Sequence, residues 1–142
     1  MQTSRRFFPL LLLCLLFTGC RQGFVNTKGR IVRNGEPFHL AERQGLRLFF
    51  EPLEFKDGVH RYDSYAAEFH GADGTFIVKG KDRKGLPPGK YRITIQLMQN
   101  KEDLFRGKLT GPASPFQCEI SGKSGQEVVV NLDDAKALPS VH

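Results

Sequence analysis

The chain has 142 residues, 39% of them hydrophobic and 25% charged, with a formal net charge of +6. That length suits one domain and is too short for two ordinary ones. The 15 Gly and 8 Pro follow no collagen period, and 3 Cys exclude both a disulfide-rich scaffold and a zinc site built from four cysteines.

Arg5 and Arg6 precede an almost unbroken apolar run over residues 7–17. A basic start followed by an apolar core of about 7–15 residues describes a secretory signal peptide. The run is shorter than the roughly 20 apolar residues that cross a bilayer. Leu16-Phe17-Thr18-Gly19-Cys20 resembles a bacterial lipobox, where a lipoprotein signal peptidase cuts ahead of a diacylglyceryl-modified cysteine. Thr18 and Gly19 suit a protease subsite that needs small side chains, and Cys20 supplies the thiol for the thioether. Phe17 stands where Leu is usual.

The resemblance implies a signal peptide over residues 1–19, lipidation of Cys20, and a short tether over residues 20–23. Each buried CH2 of an acyl chain contributes about 0.8 kcal/mol, and one chain anchors only weakly. Two or three chains on Cys20 would make attachment essentially permanent. Arg21, in place of an Asp after the cysteine, leans toward the outer membrane or its periplasmic face in a diderm cell. The alternatives are an ordinary cleaved signal and an uncut anchor.

Removing residues 1–19 takes away two of the 21 basic residues, which leaves 19 against 15 acidic, a mild +4. Nucleic-acid binding calls for a clustered basic face with recognition elements, and export argues against it as well. Cys14 leaves with the signal and Cys20 is lipidated, so Cys118 has no intrachain partner. Phe116, Cys118 and Ile120 alternate with Gln117 and Glu119, which puts Cys118 among inward-facing residues as a small buried side chain.

The rest of the chain reads as short strands between turn residues. Residues 27–32 form a first strand, followed by the tight-turn pair Asn34-Gly35. Leu46, Leu48 and Phe50 alternate with Arg47, Phe49 and Glu51 in a second, which Pro52 ends. Residues 65–70 and 75–78 make a hairpin across Gly71-Ala72-Asp73-Gly74. A basic loop over residues 79–90 ends in Pro87-Pro88-Gly89, and Tyr91, Ile93, Ile95 and Leu97 then alternate with polar residues. Residues 100–115 read as a long irregular connection. Strands over 116–120 and 127–132 close a domain expected to span 24–133, before a frayed tail over 134–142. No window sustains a helical period, so the expectation is all-β: about seven strands in a Greek-key sandwich.

Three segments carry a resemblance to carboxypeptidase regulatory-like domains. Residues 29–37, GRIVRNGEP, resemble their opening strand and turn; residues 73–78, DGTFIV, resemble their hairpin; residues 85–93, GLPPGKYRI, resemble their proline-glycine-tyrosine corner. The resemblance covers about residues 27–97 and implies a transthyretin-like (prealbumin-like) sandwich of about seven strands. Its motifs are turn residues and core aromatics, and they imply no chemistry.

Candidate chemistry is sparse. His39, His60, His70 and His142 follow no metal-ligand spacing. Two enzyme families share the sandwich. Intradiol dioxygenases bind iron through two Tyr and two His, and Tyr62, Tyr65, His60 and His70 match those residue types without the expected arrangement. Hydroxyisourate hydrolases end in a Tyr-Arg-Gly-Ser type tail, whereas this chain ends Leu138-Pro139-Ser140-Val141-His142.

No catalytic, cofactor or metal site is therefore assigned. Lys79, Lys81, Arg83 and Lys84 crowd one loop around Asp82. They form either a solvated loop or a contact for anionic lipid, acidic glycan or protein. In the long connection, Phe105 either docks on the sandwich or joins Arg106 as an exposed contact. The expectation is a non-enzymatic lipoprotein module that binds or braces an envelope protein or polysaccharide; a small metal-dependent or hydrolytic enzyme is the alternative. Replacement of Cys20 by Ser should abolish fatty-acid labelling and leave the precursor uncut. A normally processed, labelled variant would show that Cys20 is not the lipidation site.

Overall fold

The computed structural model describes residues 23–54 and 63–135; the lipobox, Cys20, His60, Tyr62 and His142 lie outside the described residues. Nine strands follow in chain order: β1 Thr27–Arg33, β2 Glu36–Pro37, β3 Gln44–Pro52, β4 Tyr65–His70, β5 Thr75–Val78, β6 Gly89–Gln99, β7 Glu102–Asp103, β8 Gln117–Ile120 and β9 Glu127–Asn131. Among the described residues there is no α-helix, only three short 3-10 turns.

All nine strands belong to one sheet. Its longer members lie in the order β9-β1-β5-β4-β3-β6-β8, with β2 and β7 added to β1 and β6. Every pair is antiparallel except β1 with β9, which run parallel from Lys28↔Glu127 to Val32↔Asn131. A parallel pair cannot be joined by a tight turn, and here most of the chain separates the two strands.

The period of two in the sequence places one face inward along every long strand. Tyr91, Ile93, Ile95 and Leu97 of β6 are buried, as are Leu48 and Phe50 of β3, Phe76 and Val78 of β5, and Val128 and Val130 of β9. These residues belong to a single core cluster, so the sheet curls with this face inward. Aromatic rings fill the middle. Phe50 lies 5.9 Å from Phe76 and 6.3 Å from Tyr91, and Tyr65 meets Tyr91 edge-on at 6.1 Å. Such tilted and edge contacts suit the ring quadrupoles.

Gly29 makes one of these contacts possible. It pairs directly with Phe76, and a Cβ at this position would overlap both the Phe76 ring and the Val128 carbonyl oxygen. The glycine lets the aromatic ring lie across the strand.

The connection over residues 100–115 is irregular apart from β7 and one 3-10 turn, and it is fastened along β6. β7 pairs with the end of β6, and the Asp103 carboxylate accepts from the backbone N–H groups of Leu97 (3.1 Å), Phe105 (3.0 Å) and Gly107 (2.8 Å). The last described residues are tied to the fold. Asp133 and Asp134 lie in a 3-10 turn, Asp133 accepts from the Asn34 N–H at 2.7 Å, and Ala135 is buried.

Tyr91 sits at the corner that Pro87-Pro88-Gly89 forms ahead of β6. Its ring is 2% exposed and its hydroxyl donates to the Pro87 carbonyl at 2.6 Å. Burial pushes the hydroxyl pKa well above its ordinary value. Tyr91→Ala should cost about 3–5 kcal/mol, as for other buried aromatics. Tyr91→Phe, which loses only the hydrogen bond, should cost about 1 kcal/mol. Denaturant melts of a chain starting at Phe24 would measure both, and a loss below about 0.5 kcal/mol for Tyr91→Ala would place it among surface residues.

Candidate functional site

The expected contact residues fall in two places. Lys79, Lys81, Arg83 and Lys84 belong to the loop from β5 to β6. That loop is tightly folded. The Gly85 N–H donates to the Lys79 carbonyl at 2.6 Å and the Lys84 N–H to the Lys81 carbonyl at 3.1 Å. Asp82 and Arg83 take positive φ of 53° and 60°, which turns the chain sharply and spreads the side chains outward. At the loop's far side, Val25 and Leu86 exchange two backbone hydrogen bonds, of 3.0 and 2.8 Å. The loop is thereby fastened to the point where the chain enters β1.

The four cations are not equivalent. Lys79 is half-buried and donates to Glu68 on β4 at 2.7 Å. That bond holds the Glu68 carboxyl below its ordinary pKa. Lys81, Arg83 and Lys84 are exposed, and none is in an ion pair with another described residue. The structure divides the cluster into one bracing lysine and three outward charges.

Phe105 is not a contact residue. Its side chain is 0% exposed and packs in the core, because the Asp103 carboxylate folds residues 103–107 back onto β6. Of the two readings of Phe105, the docked one is observed. Arg106 is exposed beside it, with φ 53° and its N–H bound to the Asp103 carbonyl at 2.9 Å. Phe105 and Arg106 therefore form no joint patch.

A groove of about 620 Å³ runs along the outer face of β1 and β5, lined by Asn26, Lys28, His70, Thr75, Ile77 and Glu127 among others. Glu127 is 3.5 Å from Arg30 in an exposed ion pair. The groove brings a lysine, a histidine and a carboxylate to one surface without a shared focus. Among the described residues, no three His, Cys, Asp or Glu side chains converge as metal ligands. His39 and His70 are exposed. Tyr65 packs its ring edge-on against Tyr91.

Cys118 lies on β8 directly opposite Tyr91 and is half-buried. Burial pushes its thiol up to about 12. No feature of the sequence announced the role of Asp103. An acid followed by Leu-Phe-Arg-Gly in a long connection is the available signal, since Asp side chains favour bonds to backbone N–H groups just ahead of them.

No protein-family model matches the chain, and comparison with the curated proteins finds no match. Among solved structures the chain is similar to a DUF3823 family protein from Parabacteroides merdae ATCC 43184, with 20% identity and a TM-score of 0.38 over 75% of this chain. The chain spans 44% of that protein's length.

Thiolate is the reactive form of cysteine. With the thiol moved from 9.0 to about 12, alkylation of native Cys118 at pH 8 should be on the order of a thousandfold slower than in the unfolded chain. Above pH 9 the unfolded thiol loses its proton while the folded one keeps it, so its contribution to stability should fall as pH rises from 9.0 toward 12. Equal alkylation rates in buffer and in denaturant would show that Cys118 is open to solvent.

Proposed function

We propose that this chain is a lipid-anchored, non-enzymatic module of the bacterial cell envelope, held through Cys20, that binds or braces an envelope protein or polysaccharide. The observation that carries the reading is the pairing of two features. Thr18-Gly19-Cys20 closes an apolar run behind two arginines, and the first bridge of the fold, at Val25, comes five residues later. An anchor so close to the body suits a protein that works at a membrane surface.

The finer fold belongs to the same proposal: a Greek-key, transthyretin-like sandwich of the carboxypeptidase regulatory-like kind. Its support is where the three motifs fall. Residues 29–37 cover most of β1, its turn and β2; residues 73–78 cover the turn into β5 and the strand itself; residues 85–93 cover the corner that buries Tyr91. Each motif sits at a bend of the sheet, where turn residues decide the path of the chain.

The test is fractionation followed by metal analysis. The protein should pellet with membranes, resist extraction by high salt and dissolve in detergent. It should carry no stoichiometric zinc or iron. Replacing both His60 and His70 by Gln should leave its melting unchanged with or without chelator, since bound metal would add folding stability that those changes remove. Recovery as a free soluble protein would reject the anchor. Stoichiometric metal lost in the double variant would replace the binding module with a metal-dependent enzyme.

A further inference from the structure

The strand register sorts the connections into two ends. β1 starts at the first end, and β5 finishes beside it, with Thr27 opposite Val78. β6 starts there too, because Tyr91 pairs with Pro52 at the close of β3 and Gly89 with Ile120 at the close of β8. Among the described residues, the exposed cations of this end are Lys28, Lys81, Arg83, Lys84, Lys90 and Lys123. Its described acids are Glu54, Asp63, Asp82, Glu119 and Glu127; Lys90 lies 3.2 Å from Glu54 and opposite Glu119, so the local excess of positive charge sits in the loop of Lys81, Arg83 and Lys84. The opposite end is acidic. Its turns carry Glu36, Glu42, Asp73, Glu102, Asp133 and Asp134 against Arg33, Arg43 and Lys101.

The end with this cationic loop is also the end where the chain enters. Phe24, next to the Val25 bridge, is 57% exposed, one of two large hydrophobic side chains so exposed among the described residues. Four residues lie between Cys20 and Val25, and an extended chain covers at most about 3.3–3.6 Å per residue step, so the five steps reach no further than about 18 Å. The attraction of Lys and Arg to an anionic surface acts within about one Debye length, roughly 8 Å at physiological salt.

We propose that this end of the fold, with Lys81, Arg83 and Lys84 at its corner and Phe24 beside them, rests on anionic lipid headgroups of the membrane that holds Cys20. The inference rests on the lipid-anchor reading. The fold itself selects a lipid surface over a distant protein or glycan. The Val25–Leu86 bridge fixes the loop to the tether, so whatever membrane receives the anchor receives the loop with it. Tethering keeps the local headgroup concentration high, and weak contacts then suffice to orient the body. The same field repels the acidic end, which points away from the surface. Phe24 can lay its ring at the boundary between headgroup and acyl chain.

The experiment uses the full lipidated protein, reconstituted into vesicles of phosphatidylcholine alone or of phosphatidylcholine and phosphatidylglycerol in equal parts. Lysine acetylation is quantified by mass spectrometry at Lys81 and Lys84, with Lys101 of the opposite end as the reference. Labelling of Lys81 and Lys84 should drop several-fold on the anionic vesicles and recover in high salt, while Lys101 stays constant. Equal labelling on the two vesicles overturns the inference. So does protection that appears only in native membranes, which would assign the loop to a protein or glycan. The mass of the N-terminal peptide separates the two readings. An acylated Cys20 with unprotected lysines rejects the headgroup contact alone, whereas an unmodified Cys20 rejects the anchor and the contact together.

Discussion

β6 has both edges occupied along its length, and the rest of the fold is arranged around that condition. One edge pairs with β3 through nine consecutive residues, from Pro52↔Tyr91 to Gln44↔Gln99. The other edge is covered in pieces. β8 takes residues 89–92, and the carbonyls of Phe116 and Leu109 accept from the N–H groups of Ile93 and Ile95. The Asp103 carboxylate accepts from Leu97, and β7 takes the last two residues. A buried N–H left without an acceptor costs about 1–3 kcal/mol, so the connection between β7 and β8 must lie close along this strand. Phe105 and Leu109 are buried as a result. Ser114 finishes the covering, with its hydroxyl donating to the Ile93 carbonyl at 2.5 Å and accepting from the Phe116 N–H at 3.3 Å.

The longer strands were legible because each is half-buried and the side-chain period is two. β4 and β5 occupy the residues read for them, and β1, β3 and β6 extend that reading by only one or two residues at an end. The two-residue strands β2 and β7 leave no period to detect. The connection over residues 100–115 looked irregular for a physical reason. It is held by a carboxylate bonded to backbone groups up to six residues away, and such bonds leave no hydrophobic pattern. The parallel pairing of β1 with β9 joins segments about a hundred residues apart, and local sequence carries no register for it.

The surface was less legible than the core. Four cations in a row of six residues suggested a single patch, but Lys79 turns to Glu68 on the neighbouring strand, a partner eleven residues away. Phe105 and Arg106 are adjacent in sequence and sit on opposite sides of the boundary between core and solvent. What unites Lys81, Arg83 and Lys84 with Phe24 is the Val25–Leu86 bridge between distant segments. The residues that define the surface were visible one by one, and the sheet register brings them together.

The parallel strand beside β1 bears on mechanics. β1 is flanked by β5 on one side and β9 on the other, with hydrogen bonds running across to both. A pull on its N-terminal end, directed along the strand, loads these two ladders sideways. Both ladders then resist at once, and the strand cannot peel away one bond at a time. Gly29 adds a mechanical catch in the same strand, with the Phe76 ring seated over it and the Val128 carbonyl pressed alongside. A drag force that enters through the chain's leading end meets a strand braced on both sides first, and the body behind it is shielded from that load.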